Sequence, residues 1–191
     1  MKFLETRIQQ SALRFAKLAH DGQVRKGTKK PYVSHCMEVA RILHKNGYSE
    51  DCIVAGLLHD TVEDTDVTLN DIRIGFGEEV EKIVKYVTAD MSPELSWTER
   101  KVRYIKNLTD APEESIAVAS ADKLHNITET FEQWLKVGDA VFLIFNAGKK
   151  EQQWYYRSLT EMFFIRGLFF ENKSLLKMTR SINKVLGKMG M

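Results

Sequence analysis

The chain has 191 residues, of which 43% are hydrophobic and 28% charged, and its formal net charge is +2. That length suits one domain with a sizeable core. The near-neutral charge excludes coating a nucleic acid polymer and leaves room for a local basic pocket. No apolar run is long enough to cross a bilayer, and the start, Met1-Lys2-Phe3-Leu4-Glu5, turns charged too early for a signal peptide. The two cysteines, Cys36 and Cys52, form no framework of spacings. The expectation is a cytoplasmic protein with no structural disulfide and no membrane partner.

In chain order, residues 4–20 place Leu4, Ile8, Ala12, Phe15, Ala16 and Ala19 at helical spacing, and Asp21-Gly22 stops the pattern. A basic loop over 22–33 ends in Pro31-Tyr32. Ser34 is expected to cap a helix reaching Asn46-Gly47. Ser49 caps the next, which carries Ile53, Val54, Leu57 and Leu58 into the polar run that follows. Thr68 opens a short helix to Phe76-Gly77, and residues 78–89 form another. The Met91–Ser96 stretch reads as a loop. Helical patterns follow over 97–109, 113–127, 128–136 and 149–170. In the tail, 172–188, Leu175, Leu176, Ile182, Val185 and Leu186 face one way and five cations the other. It reads as a helix laid on the bundle with a solvated basic face. No β alternation or internal repeat appears, so the fold class is an all-α bundle.

The stretch Gly56-Leu57-Leu58-His59-Asp60-Thr61-Val62-Glu63-Asp64-Thr65 carries the chemistry. His59 and Glu63 are four apart; Asp60 is three from Glu63 and four from Asp64. On a helix these spacings set the side chains on neighbouring turns of one face. Three carboxylates and an imidazole repel one another and resist desolvation unless a cation sits among them. One helix does not surround an ion, so further ligands come from elsewhere: His35 after the basic loop, and Asp122 in Ala121-Asp122-Lys123-Leu124-His125-Asn126. The set His35, His59, Asp60 and Asp122 offers mixed nitrogen and oxygen ligation, which suits Mn²⁺, Fe²⁺, Zn²⁺ or Co²⁺ better than an all-oxygen calcium cage. His125, three residues from Asp122, reads as a supporting or packed histidine more than a fifth ligand. His20-Asp21 reads as a polar helix terminus, His44 faces elsewhere, and Cys36 is a small buried side chain. Glu63 or Asp64, beyond the ligands, stands where a general base for a water belongs. Trp154-Tyr155-Tyr156 reads as core, with an aromatic wall for a base as the other reading.

The order His35, His59-Asp60, Asp122 resembles that of the HD-domain metal-dependent phosphohydrolases. Arg25-Lys26 with Lys30-Pro31-Tyr32-Val33-Ser34-His35 is similar to a segment of the RelA/SpoT hydrolase domain. So are the Leu57–Thr65 stretch, Phe76-Gly77 with Val80, Val87-Thr88, and Ala121–Asn126. The resemblance covers about residues 8 to 128, leaving a helical extension over 129–191 of the same domain, and it implies a small alarmone hydrolase of the stand-alone metazoan kind. By that resemblance, His35, His59, Asp60 and Asp122 hold Mn²⁺. Glu63 and Asp64 position and deprotonate the attacking water. Arg25 and Lys26 grip the phosphates or stack on the base, and Asn126 contacts the nucleoside. The implied substrate is a small nucleotide, guanosine 3′-diphosphate 5′-di- or triphosphate, with pyrophosphate released from the 3′ position.

The chain departs from that pattern in three places. Cys36 stands where the family usually has proline. Ile127-Thr128-Glu129 replaces a stretch with arginine and threonine, and it sets an acid near an anionic ligand unless Glu129 turns outward. The 91–98 loop lacks a phosphate-binding lysine before Glu99-Arg100-Lys101. All three lie outside the metal quartet and bear on the substrate. Two other readings therefore stand beside the first: the same centre acting on an adenosine alarmone or the 2′-phosphate of NADPH, and a nucleotide-binding protein without catalysis.

Overall fold

The computed structural model describes residues 3–90 and 92–191, so Met91 of the expected loop lies outside the described residues. Those residues form helices α1 (Arg7–Ala19), α2 (Val33–Lys45), α3 (Glu50–Leu58), α4 (Thr61–Asp64), α5 (Leu69–Phe76), α6 (Glu78–Val87), α7 (Trp97–Thr109), α8 (Glu113–Val137), α9 (Lys149–Phe169) and α10 (Lys173–Lys188). A 3-10 segment, Gly138–Ile144, joins α8 to α9. The all-α expectation holds: among the described residues β pairing is confined to one isolated antiparallel bridge, Val24 to Pro31, which pinches the basic loop.

The caps show why the helices begin where they do. The Thr6 hydroxyl accepts from the Gln9 amide of α1, and Gln9 reaches back in a capping box; Thr68 with Asp71 and Ser96 with Glu99 repeat the device for α5 and α7. Ser49 accepts from the Cys52 N–H and opens α3 as expected. Ser34 does not cap α2. Tyr32 occupies that position without a side-chain cap, and the Ser34 hydroxyl donates to the Pro31 carbonyl at 2.7 Å. The pattern breaks at Pro31, so the helix starts one residue before Ser34.

α3 is the centre of the molecule. Residues Cys52 to Leu58 are all buried, so the helix is apolar on every face, and it packs against α1, α2, α6 and α8. Burying Leu57 and Leu58 contributes roughly 1.5–3 kcal/mol each. Gly56 faces α2: a Cβ there would lie 2.6 Å from Leu43 Cδ1 and 3.4 Å from Ala40 Cα. The bare backbone at Gly56 lets the two helices approach closely enough to set His59 beside His35.

α8 is continuous through residues 127 and 128, where the sequence pattern divides it in two and where the resemblance ends. Small and β-branched residues from Ser115 to Ala121 let it run through the middle, with Gly138 at φ 61° closing its C-terminus. α10 packs on α8 and α9 through Leu175, Met178, Thr179, Ile182 and Leu186, and its cations face outward. Among the described residues no helix is long and apolar enough to cross a membrane.

Candidate metal centre and cleft

The chain turns sharply after Leu58. His59 keeps helical dihedrals, Asp60 moves to φ −96°, ψ −6°, and α4 starts at Thr61. The Thr61 hydroxyl donates to the Leu58 carbonyl at 2.7 Å and satisfies an acceptor at the end of α3. The polar run is therefore two short elements and not the one continuous helix its spacing implies. Because the Asp64 N–H still reaches the Asp60 carbonyl at 2.9 Å, one helical turn survives and keeps Asp60, Glu63 and Asp64 on the same cleft.

Three elements bring four donors together. His35 projects from the first turn of α2, His59 and Asp60 from the end of α3, and Asp122 from the middle of α8. His35, His59 and Asp60 each offer one atom within 4.8 Å of the others. His35 Nε2 lies 3.2 Å from His59 Nε2, 3.5 Å from Asp60 Oδ2 and 3.2 Å from Asp122 Oδ1. His59 Nε2 lies 3.1 Å from Asp60 Oδ2.

The far sides of these groups are fixed. His59 Nδ1 sits 2.9 Å from the Gly56 carbonyl, which accepts its proton and leaves Nε2 with a lone pair facing the centre. His35 Nδ1 sits 2.7 Å from His125 Nδ1, so His125 packs against the far side of His35 and lies outside the group that could share an ion. The Tyr32 hydroxyl donates to Asp60 Oδ2 at 2.8 Å. The Lys123 ammonium donates to Asp122 Oδ2 at 2.5 Å, and Asn126 Nδ2 donates to Asp122 Oδ1.

This donor set fits a divalent cation. Two imidazole nitrogens facing each other beside two carboxylates need positive charge, and the protein alone supplies it as a proton. Burial disfavours a charged His59, yet Asp60 beside it and Asp122 nearby outweigh burial and pull its pKa up to about 9. Asp60 and Asp122 are held well below the usual carboxylate range: burial opposes this, but His59 at Asp60, and Lys123 with His35 at Asp122, overcome it. A cation bound between them meets the same need without the proton.

The cleft above has a volume of about 610 Å³, in the size range of small-molecule sites, roughly 300–1,000 Å³. Glu63 Oε2 accepts the Ala89 N–H at 3.0 Å. Burial, then the charge of Asp60, raises the pKa of Glu63 and likewise that of Asp64. On the opposite wall, burial and then Lys123 pull Lys101 down to about 8, and its Nζ lies 5.0 Å from the Tyr155 ring centroid. Tyr155 and Tyr156 are buried and also line the cleft, so they serve as core and as wall; Trp154 is outside it. Cys36 is buried, and desolvation pushes its thiol well up, as befits an inert packing residue.

The other predicted residues lie around the same cleft. Lys26 is exposed at its mouth. Arg25 and Asn126 line it, but Arg25 donates to Asn126 Oδ1 at 2.5 Å and to Glu129, so neither side chain is free in this structure. Glu129 turns inward and not away, and takes Arg25 and Lys30 as partners. Sequence reasoning missed Tyr32 as the group holding Asp60, although the Pro31-Tyr32 pair was part of the matched segment. It also understated His20, which is buried, stacks on Tyr32 at 4.7 Å, and meets Gln23 Oε1 at 2.8 Å.

The helical fold and a His/Asp group that could hold a metal ion are together the features of an HD-type protein. The HD-domain family model matches residues 12–133, more than half of the chain. The chain belongs to the HD-domain family, whose members of this type hold a divalent metal. Among curated proteins it is 40% identical over 121 residues to guanosine-3′,5′-bis(diphosphate) 3′-pyrophosphohydrolase MESH1 of Xenopus tropicalis, a match covering 62% of this chain. The chain spans 66% of that relative's length, just under two thirds. Among solved structures, a metazoan ortholog of SpoT that hydrolyzes ppGpp superposes with a TM-score of 0.76 at 26% identity, covering 97% of each chain. A protein of Listeria monocytogenes EGD-e superposes with a TM-score of 0.70 at 34% identity, covering 82% of this chain and 99% of the other.

Proposed function

We propose that this chain is a Mn²⁺-dependent hydrolase that removes the 3′-pyrophosphate of guanosine 3′-diphosphate 5′-di- or triphosphate, leaving GDP or GTP. The observation that carries the reading is the convergence of His35, His59, Asp60 and Asp122 in a cleft that Glu63 and Asp64 also line. The names and activities of the MESH1 proteins and the SpoT ortholog support the substrate. A reducing cytoplasmic setting suits Cys36 and Cys52, which are both free and buried.

His35, His59, Asp60 and Asp122 would hold the cation. When bound, it supplies Lewis acidity to the phosphoryl oxygens and to the attacking water. The chain does the rest. Glu63, anchored through Oε2 by the Ala89 amide, keeps Oε1 for the water, and Asp64 stands one residue away. One of these carboxylates takes a proton as the water oxygen attacks the phosphorus bonded to O3′. The O3′–P bond breaks, O3′ takes up a proton, and pyrophosphate leaves. Lys101, Arg100 and Lys26 offer their charges to the phosphates from the wall and mouth of the cleft.

The inward acid Glu129 favours one further reading, in which the same centre acts on an adenosine alarmone or the 2′-phosphate of NADPH. Side-by-side kcat/KM values with Mn²⁺ decide between them. The first reading expects pyrophosphate from ppGpp with a preference above ~10³-fold. A larger kcat/KM for either competitor replaces it with the second.

A further inference from the structure

An acid beside a cleft for a polyanion needs a reason, and the contacts of Glu129 supply one. Its Oε2 accepts from Arg25 Nε at 3.2 Å and from the Arg25 NH2 group at 3.1 Å; its Oε1 accepts from Lys30 at 3.3 Å. The same Arg25 NH2 donates to Asn126 Oδ1 at 2.5 Å. Asn126 Nδ2 donates to Asp122 Oδ1, the oxygen that faces His35 Nε2 at 3.2 Å. On the other side, Glu129 Oε2 lies 3.9 Å from His125 Nδ1, which abuts His35 Nδ1 at 2.7 Å. Two chains of contact therefore leave Glu129, and each ends on a member of the donor quartet.

The chemistry of the links fixes their direction. A guanidinium only donates and a carboxylate only accepts. Arg25 therefore selects Oδ1 of Asn126, which turns Nδ2 toward Asp122. Without Arg25 the amide keeps only its bond to Asp122 and is free to swing away from it. Arg25 in turn is held by two of its nitrogens on one Glu129 oxygen, a charge-assisted pairing in a half-buried place. The contrast with Lys101 is informative: it faces the same cleft and, among the described residues, makes no ion pair.

We propose that Glu129 is a positioning residue for the metal centre. It fixes Arg25, Arg25 fixes the amide of Asn126, and Asn126 fixes Asp122, so that Arg25 is a strut and not a phosphate clamp. The proposal rests on reading His35, His59, Asp60 and Asp122 as the metal site.

The test is Mn²⁺ binding by calorimetry to chelator-treated protein without nucleotide, with kcat and KM measured alongside. It compares wild type, Glu129→Gln, Arg25→Lys and the double variant. Each single change is expected to weaken Mn²⁺ about tenfold, within the ~10–100-fold span of such supporting contacts. Each should lower kcat with KM within about twofold, and the double variant should be no worse than the more severe single one, because the residues share one chain of contact. Arg25 lies on a loop, so Arg25→Lys carries the test should Glu129→Gln weaken the fold. Wild-type Mn²⁺ affinity in both variants, with a raised KM in Arg25→Lys, overturns the proposal and restores Arg25 as a clamp. Failure of wild type itself to bind Mn²⁺ is a separate result, and it removes the metal-site reading and the proposal together.

Discussion

The floor of the cleft and its α7 wall solve opposite electrostatic problems. On the floor each donor is held from behind: His59 by the Gly56 carbonyl, Asp60 by Tyr32, Asp122 by Lys123 and Asn126, His35 by His125. Its cations are already committed, Lys123 to Asp122 and Arg25 to Glu129. On the wall, Arg100 and Lys101 line the cleft, and among the described residues neither makes an ion pair. A metal site must be preorganised, so its charges are balanced within the protein. Under the proposed function the wall receives an anionic substrate, which needs charge still available there.

The largest effects are expected on the floor. Asp60→Ala or His59→Ala is expected to abolish turnover and Mn²⁺ binding together, checked by calorimetry and a pyrophosphate assay. Glu63→Gln separates the two: kcat should fall by ~10²–10⁴ while Mn²⁺ binds as in wild type. On the wall, Lys101→Ala should raise KM by about tenfold or more, as loss of a charge-assisted bond costs roughly 1.5–3 kcal/mol, with kcat little changed. The pH dependence carries the same information. Lys101 is charged below its lowered pKa of about 8 and neutral above it, so kcat/KM should decline as pH rises through that value. Lys101→Arg, which stays charged, should remove that alkaline limb. The smallest effects concern packing. Gly56→Ala drives a Cβ toward Leu43 and should cost about 1–3 kcal/mol in chemical denaturation. Ser49→Ala should cost about 1 kcal/mol with no change in KM.

The floor was more legible in the sequence than its supports. His59 and Asp60 end an apolar run, and His35 and Asp122 each sit at a comparable boundary, because ligand types cluster where a buried helix meets a cavity. The helix break at Asp60 was not legible: spacing alone cannot distinguish one helix from two sharing a turn, and Thr61 makes the difference through a single side-chain bond. The supports were hidden for another reason. Tyr32 and Glu129 act across 28 and 104 residues, on Asp60 and Arg25 respectively, and long-range pairings leave no periodic trace. The 25-residue α8 was divided because its pattern changes from buried on all sides to half-exposed after Asp122, which is a change of surroundings and not of structure. Five of the ten helices carry a side-chain cap, Thr6, Ser49, Thr68, Ser96 and Asn172, and of these Ser49 and Thr68 were read as start signals in the sequence.

The most direct measurement is ³¹P NMR of ppGpp incubated with chelator-treated protein, before and after Mn²⁺ is added. The proposed Mn²⁺-dependent activity leaves the spectrum unchanged without metal and gives growing pyrophosphate and GDP resonances once Mn²⁺ is present. Equal turnover in the chelated sample, or none with any divalent metal, would contradict it.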